Sequence, residues 1–110
     1  MSVFTKRLKQ ERKRAGLSQE KLGVLAGIDE TTASARMNQY EKGKYQPYPN
    51  TVEKIAEVLG VPVALFYEDD DEIAEVLRLM HRMAPEHRLE VLDFIRAKVG
   101  ALEDGCCKHH

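Results

Sequence analysis

Apolar residues recur along this chain at intervals of three, four and seven, and hardly anywhere in strict alternation. Such spacing lines one face of a helix, whereas the alternating β-branched runs of half-buried strands are missing. Phe4, Leu8 and Ala15 make a narrow apolar stripe on a strongly basic first helix, which Gly16 ends. Ser18 caps a second helix with Leu22, Leu25 and Ala26 on its apolar face. After Gly27, Asp29 is suited to cap a third helix that runs to about Lys42 and stops at Gly43. Ala33, Met37 and Tyr40 point inward from it, and Ile28 plugs the turn before it. A loop with Pro47 and Pro49 follows. Asn50 then caps a fourth helix with Val52, Ile55, Ala56 and Leu59 inward, closed by Gly60. A short helical turn, "VPVALFY", completes five helices over residues 1–67, with Pro62 near its start.

From Glu68 the pattern changes. The acidic run "EDDDE" suits a linker or the first turn of a helix. Ile73, Val76, Leu77, Met80 and Met83 continue the helical period until Pro85, which serves as the first residue of a last helix. That helix carries Leu89, Leu92, Ile95, Val99 and Leu102, with Val91 and Phe94 widening the face. The expected architecture is therefore all-α: a five-helix unit over 1–67, a helical pair over 68–102, and a disordered tail over 103–110.

Composition adds little except in how charge is distributed. With 43% hydrophobic and 32% charged residues, the 110-residue chain has the make-up of a globular protein. Residues 1–67 hold eleven Lys/Arg against seven Asp/Glu, and residues 68–110 hold six against eleven. A basic front and an acidic back fit a nucleic-acid face with a separate module behind it. Cys106 and Cys107 are adjacent and cannot staple a fold, and with His109 and His110 they lack the spacing of a structural zinc site. The tail reads as the end of a purification tag. No metal or other cofactor is expected. No apolar run reaches the ~20 residues that span a bilayer, and the first residues lack a signal-peptide core, so the expected compartment is the cytoplasm.

The segments "RKRAGLSQEKLGVLAGI", "QYEKG" and "NTVEKIAEVLGVPVALFY" resemble the Cro and phage-repressor type of helix-turn-helix regulators, the XRE-like family. The resemblance covers about residues 4–67. It implies a repressor-like helix-turn-helix fold in a bacterial or phage-encoded protein acting at the nucleoid. It also implies that the third helix reads double-stranded DNA. Ser18 and Gln19, at the start of the second helix, would contact the DNA backbone, the exposed N–H groups there being suited to a phosphate. Gln19 has the further option of bracing a base-reading side chain. Arg12 and Glu41 would pair to position the recognition helix, with Arg12 also near phosphate. Lys42, Lys44, Tyr45 and Gln46 lie where family members follow the DNA backbone and would set register without reading sequence. Lys6, Lys9, Lys13 and Arg14 read as a solvated face that adds to the general positive field.

One stretch departs from the family. Gly27 to Glu41 is fourteen positions, roughly one helical turn more than the usual spacing. Counting back from Glu41 places Ser34, Ala35, Arg36 and Gln39 where base-reading residues stand. Arg36 is the strongest candidate, because its guanidinium fork matches guanine O6 and N7; Gln39 and Asn38 match adenine N6 and N7. Thr32, Ser34 and Ala35 are small and let the helix approach the groove floor. Asp29 and Glu30 suit a cap and the helix dipole, with Glu30 accepting from a cytosine amine as the alternative. The extra residues form either a longer turn or an added helical turn: the helix starts at Glu30 or near Ser34.

A unit of this size covers one half-site, so a dimer on a palindromic operator is expected. Met80, Met83, Leu89, Leu92, Ile95, Val99 and Leu102 are the candidate dimer interface. Packing of the helical pair back onto residues 55–67 is the competing arrangement. His81 and His87 read as solvent-facing. The expected function is a sequence-specific transcriptional regulator, a repressor, with no catalysis. The alternative is a protein-interaction module, antitoxin-like or a regulatory subunit, whose helical tail binds a partner protein.

Overall fold

Side-chain caps open three of the helices in the computed structural model, which describes residues 2–105. Ser2 Oγ accepts from the Thr5 N–H at 3.2 Å and opens α1 (Val3–Arg14). Ser18 Oγ accepts from the Lys21 N–H at 3.0 Å and opens α2 (Gln19–Leu25). Next come α3 (Ala33–Glu41), α4 (Pro49–Leu59) and a 3₁₀ turn (Val63–Tyr67). Asp70 is the strongest cap, its Oδ1 taking the N–H groups of Glu72 at 2.8 Å and Ile73 at 3.0 Å to start α5 (Asp71–His81). Finally, α6 runs from Pro85 to Gly105, and the described residues contain no strand.

Three boundaries differ from the sequence expectation. α4 begins at Pro49 rather than after Asn50, because proline has no N–H to satisfy and the Tyr48 carbonyl takes the Thr51 and Val52 amides at 2.9 and 3.0 Å. α6 continues through residues 103–105, which the sequence assigned to the tail; Cys106, Cys107, His109 and His110 lie outside the described residues. The third difference, the start of α3, shapes the site below.

Residues 3–67 wrap around one core. Leu8, Leu22, Met37, Ile55, Leu65 and Phe66 are fully buried in it, each contributing about 1.5–3 kcal/mol by leaving water. Phe4 packs tilted against Phe66 and Tyr67, with ring centroids 5.5 and 5.7 Å apart. Two expected core residues are instead exposed. Ala15 is the residue that ends α1, beyond the face carried by Phe4 and Leu8. Leu25 stays half out, because the inward face of α2 is made by Leu22, Gly23 and Ala26.

α5 touches this core through a small surface. Ala74 is buried and Leu77 partly so, while Ile73, Val76 and Leu79 face outward. The packing back onto the front unit that competed with an interface role is thus real for α5, but it takes only these two apolar side chains. α6 adds no residue to the core. Its first turn is tied to the end of α5 by Arg88, whose Nε and Nη2 donate to the carbonyls of Met80 at 2.8 Å and His81 at 2.9 Å. The molecule measures 58 Å along its longest axis. Among the described residues, no helix is long and apolar enough to cross a membrane.

Gly23 marks the closest approach in the core. A Cβ added there would sit 2.8 Å from Ala33 Cβ and 3.1 Å from the Ala33 carbonyl oxygen. Gly23→Ala should therefore destabilise the protein by about 1–3 kcal/mol in urea unfolding, through overpacking. Gly100→Ala, with no atom within 4 Å of the new methyl, should instead gain up to about 1 kcal/mol from helix propensity.

Candidate nucleic-acid interface

The turn between α2 and α3 decides what α3 presents. Gly27, at φ +93°, takes the left-handed conformation that a side chain would resist. The next N–H, of Ile28, returns to the Gly23 carbonyl at 2.9 Å and closes α2. Asp29 then folds locally: its Oδ1 accepts from the Thr31 N–H at 3.2 Å, and its carbonyl accepts from the Thr32 N–H at 3.0 Å and the Thr32 hydroxyl at 3.3 Å. Residues 29–32 are thus a turn, and α3 starts at Ala33 instead of being capped by Asp29. Ala33 is where the helix first meets the scaffold, its methyl seated on Gly23. Of the two starts left open by the sequence, the longer turn is the one adopted.

From that seat, Ala33, Met37, Tyr40 and Glu41 face inward and are buried. Ser34, Ala35 and Arg36 consequently face solvent, with Thr32 exposed on the turn before them, while Asn38 and Gln39 are half-buried.

Glu41 is a buried carboxylate at the far end of α3, with its side chain 3% exposed. Arg12 of α1 grips it with a two-pronged contact, Nε to Oε2 and Nη2 to Oε1, the latter at 3.1 Å. The remaining Arg12 nitrogen, Nη1, donates to the Leu17 carbonyl at 2.9 Å. All three guanidinium nitrogens are therefore engaged within the protein, the geometry of a positioning residue. The Gln19 amide nitrogen donates to Glu41 Oε1 and to Asn38 Oδ1, each at 3.1 Å. Gln19 thereby braces Asn38, and one oxygen of Asn38 is already occupied.

Cations gather beside this clamp. Lys9 and Lys13 of α1 line one groove together with Gln19, Asn38, Lys42 and Lys44. Lys6 leans the other way, toward Asp69 and Asp71, each 3.8 Å distant. On the other side of α3, Arg36 and Gln39 line a cleft with Tyr45, Gln46, Tyr48 and Thr51. Arg36 also borders a hollow with Asp29, Thr32 and Lys54. Ser18 stays exposed, its oxygen committed to the Lys21 amide.

Sequence reasoning passed over Tyr48, Thr51 and Lys54, and placed Lys9 and Lys13 on a merely solvated face. Tyr48 and Thr51 sit at the start of α4 behind a proline loop, and only the folded chain carries them to Arg36. For Lys9 and Lys13 a signal existed: with Arg12 they share one side of α1 in the helical period.

A family model described as a helix-turn-helix domain matches residues 4–66. The chain belongs to the helix-turn-helix transcriptional regulators, a non-enzymatic family. It is 34% identical over 82 residues to the cryptic phage CTXphi transcriptional repressor RstR of Vibrio cholerae, covering 74% of this chain and 70% of that one. It is also 36% identical over 63 residues to an uncharacterized HTH-type transcriptional regulator of Sinorhizobium medicae (strain WSM419), of whose length it spans 42%. Among solved structures, the transcriptional regulator BswR matches with a TM-score of 0.82 and 44% identity, over 92% of this chain and 98% of that one. The BswR match therefore extends past the helix-turn-helix domain into the helices behind it.

The clamp makes a prediction for this regulator. Arg12→Met leaves Glu41 buried and unpaired, which should cost roughly 3 kcal/mol of stability, measurable by denaturant unfolding. Gln19→Ala removes only a brace and should cost about 1 kcal/mol.

Proposed function

We propose that the protein is a sequence-specific DNA-binding regulator, a repressor, that recognises a palindromic operator as a homodimer. The observation that carries this reading is the exposure of Ser34, Ala35 and Arg36 on α3, held by the Arg12–Glu41–Gln19 clamp, between a basic border and a polar, tyrosine-rich one. Arg36 is the principal base reader, with a guanidinium suited to guanine in the major groove. Ser34 and Ala35 allow close approach, and Gln39 and Thr32 flank them. Asn38, held by Gln19, contributes through its free amide nitrogen. Lys42 and Lys44, joined by Lys9 and Lys13, contact phosphates on one border, with Ser18 at the margin. Tyr45 and Gln46 do so on the other, beside Tyr48 and Lys54. The repressor assignment is supported by the similarity to RstR.

The dimer is supported by the uncovered side of α6. Leu89, Leu92, Ile95, Val99 and Leu102 recur along it and remain 36–65% exposed. Met80 and Met83, half-buried at the joint between α5 and α6, continue the stripe. A continuous apolar face of this kind marks a protein interface. A second reading, a different partner protein on the same stripe, rests on that same uncovered face. Light scattering on the purified protein separates the two: a chain that stays monomeric at micromolar concentration removes the homodimer.

Selection from random duplexes should enrich an inverted repeat, and its absence at low salt would overturn the DNA reading. Arg36→Ala should lose about 1–3 kcal/mol of discrimination at one base pair of each half-site. Lys44→Ala should weaken all sequences alike and lower the salt slope by about one per half-site, read from binding isotherms at several salt concentrations.

A further inference from the structure

The two halves of the molecule meet through charges that α1 carries on one stripe. Arg7 and Glu11 lie one turn apart on α1 and are 2% and 3% exposed. The Arg7 guanidinium donates from Nε to the Glu68 carbonyl at 2.7 Å and from Nη2 to the Asp69 carbonyl at 2.8 Å. Its Nη1 lies 3.0 Å from Asp71 Oδ1. Glu11 accepts both prongs of Arg78, Nε to Oε1 at 3.1 Å and Nη2 to Oε2.

The order of these pairs has directional content. The earlier residue of α1 meets the earlier residue of α5, and the later meets the later. Reversing α5 would set Arg7 against Arg78 and Glu11 against Asp71, like charge against like. The apolar contact of α5, made by Ala74 and Leu77, is small and non-directional. Buried ion pairs often add little net stability while fixing one arrangement. Here the arrangement reaches the DNA-reading surface, because Arg12, the neighbour of Glu11, grips α3 through Glu41. At the other end, Arg88 ties α6 to the last carbonyls of α5.

We infer that Arg7, Glu11 and Arg78 are positioning residues that set the spacing between the two operator half-sites. They do so by fixing the angle of the α5–α6 arm to the recognition helix. The inference rests on the dimer reading above. In a dimer joined through α6, the separation of the two α3 helices depends on how each arm leaves its DNA-binding unit, and half-sites must match it along the duplex. An arm held only by Ala74 and Leu77 would swivel, and several spacings would bind alike.

The experiment uses the full chain and its selected half-site, placed as inverted repeats with spacers that sample about 10.5 bp, one turn of the duplex. Wild type should prefer one spacer over its neighbours by about tenfold, the discrimination that a mismatched base pair brings. The double variant Glu11→Met/Arg78→Met removes the pair without stranding either charge. It should stay dimeric in light scattering, select the same half-site, and bind neighbouring spacers within about twofold of one another. Arg78→Lys keeps the charge but cannot fork onto both carboxylate oxygens; it should give an intermediate spread and serves should the double variant fail to fold. Dimeric variants that keep the wild-type spacer preference overturn this inference alone. Isolated half-sites from the wild-type selection overturn the dimer reading, and this inference with it.

Discussion

A carboxylate without water must be neutralised from within the protein, and Glu41 is such a carboxylate. An uncompensated charge in its place would cost several kcal/mol. Arg12 answers from α1 and Gln19 from α2, so the end of α3 is drawn to both helices at one point. The placement of everything α3 exposes depends on that convergence. Were Glu41 replaced by an apolar residue of similar volume, the core could close equally well, but α3 would have lost the contacts that choose its rotation about its own axis.

α1 is the element to which both ends of the structure refer. One of its sides carries Arg12, committed to the recognition helix. The next side around carries Arg7, committed to the segment that leads into α5, and Glu11, committed to α5 itself. Hydrogen bonding of Arg78 to the Glu11 carboxylate raises the Arg78 pKa above its ordinary value, with burial opposing and the charges of Glu11 and Glu75 adding to the rise. That guanidinium therefore stays charged wherever the protein is folded.

Much of the fold could be read from the chain. The helical period located every helix, and Gly16, Gly43 and Gly60 stand where the stops were expected. Ala33, Met37 and Tyr40 face the core as their spacing requires. What escaped has a common cause: charged residues count as surface in a periodicity argument. Arg7 and Glu11 were invisible because burial of a charge is decided by its partner, and theirs lie more than sixty residues away. Ala74 escaped because a methyl beside Ile73 and Val76 gives no signal. In the candidate interface, the pairing of Arg12 with Glu41 and the outward position of Arg36 follow from the family pattern. The start of α3 did not, because Asp29 is equally good at capping a helix and at folding its own turn. The contact that separates these options, Ala33 on Gly23, exists only once α2 and α3 have met.

That start leaves α3 unequal at its two ends. Thr32, the residue before it, makes no side-chain capping bond, so the leading amides of Ala33, Ser34 and Ala35 have no acceptor among the described residues. The tail of the helix is locked by an ion pair, whereas its head is seated by one methyl. The side-chain bonds that hold α3 to the rest of the fold therefore gather at the last turn of this outward surface. The head of α3 thus keeps backbone donors without an internal partner among the described residues, while its tail is engaged by the scaffold.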